Sequence, residues 1–210
     1  MNILKLFADY PFIPSFLDSG KEITDIVYDS RKARPDTIFV AMRGANRDGH
    51  DSCMNAYENG CRDFVVEHRV TLPNDAITYL VADSRRALSV MSRSLFQFTP
   101  KEEKKLVPTQ LIAVTGTKGK TSTCMILRSI LEAAGRKVGY IGTLGVMYDG
   151  KVLETPNTTP ESYEIFRHLR QMRLSGCEYV LIEASSQGVK LHRTADLCFN
   201  LGVFTNLSPD

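Results

Sequence analysis

Residues 115–123 read TGTKGKTST, set between an apolar run, LIAV at 111–114, and a helix-periodic run, CMILRSILEAAG at 124–135. A turn that leads from a strand into a helix aims several free backbone N–H groups, and the positive end of the helix dipole, at one point. That arrangement suits a phosphate. Gly116 and Gly119 let the main chain approach closely. Lys120 is spaced to reach the β- and γ-phosphates as a point charge, and the Thr121 hydroxyl to ligate a bridging Mg²⁺. The expected ATP-contacting stretch is Gly116, Thr117, Lys118, Gly119, Lys120, Thr121 and Ser122, with Lys120 as the catalytic group. The general pattern GxxxxGK[ST] would place its first glycine at 114, where this chain has Val114. The competing reading is a structural glycine turn. The strand before the turn, the helix after it and an acidic strand end elsewhere favour the nucleotide.

That acidic end is EYVLIEAS, 178–185. Open α/β sheets place ligands at the carboxyl ends of their strands, so Glu183 is a candidate to hold Mg²⁺ directly or through water. The alternative is a solvated loop acid.

These groups can meet only if the surrounding elements form a mostly parallel sheet. After the turn come a helix at about 120–134, a stop at Gly135, a strand at 137–141, a helix at about 161–174, the 178–185 strand and an apolar run at 197–206. Before it, short β-rich runs (ITDIVYD, TIFVAM, DFVVE, AITYLV) alternate with helical patterns at 50–59 and 84–98. The charged stretch TPKEEKKLVPTQ, bracketed by Pro100 and Pro108, reads as a boundary. The expectation is an α/β protein with two domains: a small α/β unit at 1–100, then a P-loop domain at 101–210. The chain stops just after an apolar run, which leaves a sheet edge open and suggests a piece of a longer protein.

Lys and Arg number 26 against 24 acidic residues, too even a balance for a nucleic-acid binder, so small-molecule partners are expected. Five cysteines without a CxxC pair argue against a disulfide framework or a zinc site. His50, His68, His168 and His192 lack metal-ligand spacing, and none is assigned to a metal. No apolar stretch approaches the ~18 residues of a membrane span, so a soluble, cytoplasmic monomer is expected.

TGTKGKTST resembles the variant phosphate loop of the Mur ligase family, whose usual form is TGTNGKT. NTTP (157–160), EASS (183–186) and FTNLSPD (204–210) are similar to the family's later motifs, in the same order. YDSRKARPDTIFVAMRGANRDGH (28–50) is similar to the UDP-binding segment of the MurE branch, and with LHR (191–193) it favours that branch over MurC, MurD and MurF. The resemblance covers nearly the whole chain. It implies an N-terminal UDP-binding domain and a truncated central domain with ATP and Mg²⁺ as cofactors. The implied reaction is ligation of an amino acid, usually a diamino acid, to UDP-N-acetylmuramoyl-L-alanyl-D-glutamate through an acyl phosphate, in peptidoglycan precursor synthesis. It also implies that Tyr28, Ser30 and the loop Ala45, Asn46 and Arg47 contact the UDP moiety. Asn157, Thr158, Thr159, Ser185 and Arg193 would hold the muramoyl-peptide, and Thr121 and Glu183 the metal. Lys118, Gln187 and Leu191 depart from the family pattern. The alternatives are a non-catalytic UDP-sugar or ATP sensor, and a ligase like folylpolyglutamate synthase. This stretch of chain alone is expected to be inactive.

Overall fold

The computed structural model describes all residues except 9, 17–19, 45–46, 98–99 and 209–210. The chain divides into two compact units, Met1–Leu95 and Phe96–Asp210.

The first unit opens with α1 (Ile3–Phe7) and contains β1 (Ile13–Pro14), β2 (Asp25–Val27), β3 (Thr37–Val40), α2 (Cys53–Glu58), β4 (Asp63–Val66), β5 (Ile77–Leu80) and α3 (Ser84–Phe96). Its sheet runs β1-β5-β4-β3-β2, with β2 to β5 parallel and only β1 antiparallel. The central strands, TIFV and DFVV, are buried at every position. That burial explains their unbroken hydrophobicity, because a parallel strand covered on both faces has no solvent side to alternate with. The polar exceptions are Thr37, whose hydroxyl donates to the Arg34 carbonyl at 2.8 Å, and Asp63. Asp63 accepts from the Tyr79 hydroxyl at 3.0 Å and pairs with Lys21 at 2.5 Å, so the buried charge is compensated.

The second unit starts with the short α4 (Pro100–Glu103). β6 (Gln110–Thr115), α5 (Lys120–Ala133), β7 (Val138–Gly142), β8 (Gly145–Tyr148), β9 (Lys151–Leu153), α6 (Ser162–Leu174), β10 (Tyr179–Glu183), α7 (Ser186–Lys190) and β11 (Leu201–Phe204) follow. Its sheet order is β11-β6-β10-β7-β8-β9, and the first four of these strands are parallel. Alternate residues of β10 serve the two faces. Leu181 packs with Ile112, Val114 and Cys124 beneath α5, while Val180 and Ile182 join Ile165, Leu169 and Met172 of α6. The register Glu183 opposite Val114 sets the end of β10 beside the start of the 116–119 turn.

The expected elements recur here, with the short helices α4 and α7 and a hairpin added. β8 and β9 form an antiparallel hairpin against β7 that hydrophobic periodicity does not reveal. Its two-residue turn, Asp149-Gly150, has φ of 49° and 72°. Positive φ at both central residues matches the twist of paired strands, and Asp-Gly is a common sequence for it. The apolar run at 197–206 is a strand only over Leu201–Phe204. Four of the five cysteines are buried as free thiols and Cys198 is exposed. Burial pushes the Cys53 and Cys124 thiols up to about 12, so both stay protonated and serve as core filling.

His168 on α6 is 7% exposed, and burial, with the Arg167 charge adding to it, lowers its pKa from 6.5 to about 4. The folded chain keeps this imidazole neutral while the unfolded chain protonates it below pH 6.5. Its contribution to stability is therefore complete above that pH and is lost as pH falls from 6.5 towards 4. Between pH 7 and pH 5 the loss should be on the order of 2 kcal/mol. Urea unfolding of the native chain should show this drop, and His168→Leu should show a shallower one; equal pH slopes would contradict it.

Candidate functional site

The parallel arrangement brings the carboxyl ends of β6, β7, β10 and β11 to one edge of the second unit, so the turns after them share that edge. The 116–119 turn is held in shape from the segment after β11. Thr117 N–H donates to the Asn206 carbonyl at 3.1 Å and Lys118 N–H to Asn206 Oδ1 at 3.1 Å. Asn206 Nδ2 and Thr205 Oγ1 donate to the Lys118 carbonyl at 2.9 and 2.7 Å. Gly116 has φ 135°, and a Cβ there would run into Thr205 and the Asn206 backbone, so only glycine permits this approach. Gly119, at φ 84°, is the N-cap of α5. Immediately beyond it, the first-turn N–H groups of α5 have no intrahelical acceptor.

Lys120 curls back, its ammonium donating to the carbonyls of Gly116 at 2.6 Å and Thr117 at 3.1 Å. The charge thus sits over the turn itself. The Lys118 side chain is exposed, and its hydrogen bonds run through the backbone alone. Its side chain does not shape the turn, which removes the structural explanation for the departure at this position. Ser122 is exposed on the first turn of α5.

Glu183 is fully buried. Thr121 Oγ1 donates to its Oε2 at 3.0 Å and Thr143 Oγ1 to the same oxygen at 3.1 Å. Oε1 accepts from the Tyr140 hydroxyl and from Thr143 N–H at 3.3 Å. Burial, then the hydrogen bond to Glu183, pushes the Tyr140 phenol well above its ordinary value, so it remains a donor. Glu183 is therefore no solvated loop acid. It is a desolvated carboxylate whose donors on one side are rotatable hydroxyls. Among the described residues no group of three or more His, Cys, Asp or Glu side chains could enclose a metal. One carboxylate with hydroxyl oxygens still fits Mg²⁺, which binds through one or two carboxylates and completes its shell with phosphate oxygens and water. Glu183 and Thr121 are the residues here that could hold it.

The NTTP segment meets the same carboxylate. Thr158 Oγ1 lies 3.1 Å from Thr143 Oγ1, so the hydroxyls of Thr143 and Thr158 join the segment to Glu183. Thr159 is buried, donates to the Glu183 carbonyl at 2.7 Å, accepts from Ser185 N–H at 3.0 Å and lies 2.9 Å from Ser185 Oγ. Ser185 caps α7 by accepting from Gly188 N–H at 3.1 Å. Arg193 donates to Glu161 at 2.7 and 3.1 Å and to the Thr159 carbonyl at 2.9 Å. Thr158, Thr159, Ser185 and Arg193 thus come together, but Thr159, Ser185 and Arg193 hold the segment in place, while Asn157 is exposed. Gln187 is exposed on α7, and Leu191 caps that helix.

In the first unit, Tyr28, Ser30 and Arg47 line an open groove of about 530 Å³ together with Arg31, Asn55 and Arg85. The Asp29 side chain caps the turn at Ser30–Lys32 and accepts from Arg31 at 2.9 and 2.7 Å; that hydrogen bonding holds its carboxyl below the usual range. Ala45 and Asn46, also expected at this groove, lie outside the described residues. His50 is buried, with Nδ1 2.5 Å from Asp48 and Nε2 accepting from Glu67 N–H at 2.9 Å; both nitrogens are engaged within the fold.

Tyr140, Thr143, Thr205 and Asn206 were not among the expected site residues. Thr143 follows the end of β7, and strand ends in a parallel sheet are where a search would find it.

The family model described as Mur ligase family, catalytic domain matches residues 22–102, and the one described as Mur ligase middle domain matches residues 114–210. Among curated proteins, the UDP-N-acetylmuramoyl-L-alanyl-D-glutamate–2,6-diaminopimelate ligase of Clostridium perfringens is 36% identical over 96% of this chain and 40% of that protein. The ligase of the same name from Clostridium tetani is 38% identical over 90% of this chain and 38% of that protein. The chain spans about 40% of the length of these relatives. A solved structure of a ligase with that name has a TM-score of 0.80 at 22% identity, covering 100% of this chain and 41% of the other. MurF from Thermotoga maritima in complex with ADP has a TM-score of 0.55 at 22% identity over 89% of this chain and 38% of the other. At that identity the structures speak for the fold.

Thr159→Val should leave the Glu183 carbonyl and the Ser185 amide without their partner and cost about 1–3 kcal/mol. Thr158→Val, at a partly exposed site, should stay within about 0.5 kcal/mol. Urea unfolding of both variants checks the contrast, and equal costs would contradict the division between scaffold and presenting residues.

Proposed function

Because the chain belongs to the Mur ligase family, we propose that it carries the UDP-substrate site and the ATP site of an ATP-dependent UDP-N-acetylmuramoyl-peptide ligase of the MurE branch. The carrying observation is the pairing of the 116–121 turn with buried Glu183 through Thr121. The two curated relatives named above are ligases for 2,6-diaminopimelate, which supports a diamino acid as the incoming group.

In this reading the first unit holds the UDP moiety. Tyr28 and Ser30 line its groove, and the guanidiniums of Arg31, Arg47 and Arg85 suit a diphosphate. The second unit holds ATP on the amides and glycines of residues 116–122. Lys120 exchanges its two loop carbonyls for phosphate oxygens as the nucleotide arrives. Thr121 and Glu183 hold Mg²⁺, which when bound supplies charge neutralisation across the phosphates. Thr158, with Asn157, presents hydroxyl and amide groups to the muramoyl-peptide, while Thr159, Ser185 and Arg193 keep that segment in register.

The reaction this serves is a double displacement. The D-glutamyl carboxylate attacks the γ-phosphorus, and the bond to the β-bridging oxygen breaks to release ADP. The resulting acyl phosphate is then attacked by the amine of the amino acid, which expels phosphate and loses a proton to form the amide. A carboxylate is a poor electrophile, so activation is required. Phosphoryl transfer needs alignment and charge dispersal more than covalent help, and a rigid amide cradle with a lysine supplies both.

Lys120→Ala should weaken MgATP binding to the chain by at least about tenfold, the worth of a hydrogen bond to a charged group, and leave UDP-N-acetylmuramoyl-dipeptide binding nearly intact. Calorimetry with each ligand reads the two separately, and unchanged MgATP affinity would remove the role of Lys120. The UDP-muramoyl-dipeptide should also raise the melting temperature, by an amount equivalent to about 2.7 kcal/mol at 100 times its Kd. A shift with folate instead would point to a different ligase.

A further inference from the structure

The four donors around Glu183 are unequal. Oε2 faces the hydroxyls of Thr121 and Thr143, which can turn to let a ligand in. Oε1 faces the Tyr140 hydroxyl and the more distant Thr143 amide at 3.3 Å. Tyr140 is fixed. Its ring is fully buried beneath α5, and its hydroxyl oxygen accepts from Leu144 N–H at 3.3 Å, so the phenolic proton is directed at Glu183. Gly142 preserves the contact, because a Cβ there would press on both the Tyr140 hydroxyl and Glu183 Oε1. An aromatic core residue of this size needs no hydroxyl for packing, and phenylalanine would fill the same volume.

We propose that Tyr140 is a positioning residue that occupies Glu183 Oε1 and so holds the carboxylate in one orientation, with Oε2 turned to Thr121 as the oxygen offered to the nucleotide's divalent cation. This rests on the MgATP reading above. Without the phenol, Oε1 keeps one long amide hydrogen bond, and the carboxylate is otherwise held only by the turning hydroxyls of Thr121 and Thr143, which can follow it as its terminal torsion rotates. Its oxygen is then no longer set where Thr121 and the phosphates converge. Outer partners of this kind orient a metal ligand without touching the metal, and their loss commonly weakens metal affinity by about 10- to 100-fold.

The test is Mn²⁺ binding, read by electron paramagnetic resonance, to the chain saturated with a non-hydrolysable ATP analogue. Affinity for the analogue alone is measured in parallel in EDTA. Tyr140→Phe should lower Mn²⁺ affinity about 10- to 100-fold and leave metal-free analogue affinity unchanged. A merely structural role would not separate the two. Wild-type Mn²⁺ affinity in Tyr140→Phe, or an equal loss in both measurements, would overturn the proposal. Should Tyr140→Phe lose its cooperative melting transition, Gly142→Ala is judged by the same two measurements, since its methyl group displaces the same contact. A native chain that binds the analogue with no dependence on Mn²⁺ would contradict the MgATP reading itself, and the proposal with it.

Discussion

A carboxylate removed from water has to find its hydrogen bonds inside the protein, and the second unit is arranged around one such group. Glu183 has no solvent exposure and ends a strand whose preceding residues are apolar on both faces. Left alone there, its charge would cost several kcal/mol. The donors that prevent this come from three different elements: Thr121 from the first turn of α5, Tyr140 from β7 and Thr143 from the turn after it. Satisfying one charge therefore fixes the phosphate turn, the end of β7 and, through Thr158, the NTTP segment relative to one another.

The phosphate turn has a second constraint, independent of Glu183. The segment after β11 donates to and accepts from Thr117 and Lys118, and Gly116 is required because Thr205 leaves no room for a side chain. In the proposed function, amide positions set by the fold leave little reorganisation for the moment a phosphate would arrive, the condition under which preorganised donors act most strongly. Lys120 is held on its own loop carbonyls, so its charge lies over the turn that the proposed function gives to phosphate.

Much of this was legible in the sequence because the governing signals are local. Two glycines, a lysine and a threonine between a strand and a helix specify the turn, and an acid at the end of an apolar strand specifies Glu183. What escaped was cooperative. Tyr140 reads as one more apolar position in a buried strand, since periodicity carries no information on where a phenol points. Thr143 is an ordinary turn residue until the fold brings its hydroxyl beside that of Thr158. Arg193 came only from the family resemblance, as a contact of the muramoyl-peptide, and its sequence-distant partner Glu161 appears only in the fold. The β8–β9 hairpin was hidden in hydrophobicity but visible in Asp149-Gly150, a turn sequence rather than a pattern. Of the first unit's groove, Tyr28, Ser30 and Arg47 were found by motif, whereas Arg31 and Arg85 join only through folding.

In the proposed function Thr121 and Glu183 are partners of one cation beside a nucleotide phosphate chain. A structure of the chain with Mg²⁺ and a non-hydrolysable ATP analogue tests this most directly. The expected result places the phosphates on residues 116–121, opens the 3.0 Å Thr121–Glu183 hydrogen bond and puts Mg²⁺ about 2.1 Å from the Thr121 hydroxyl, with Glu183 as its direct or water-bridged partner. Phosphates bound elsewhere, or that hydrogen bond intact beside a bound analogue, would contradict it.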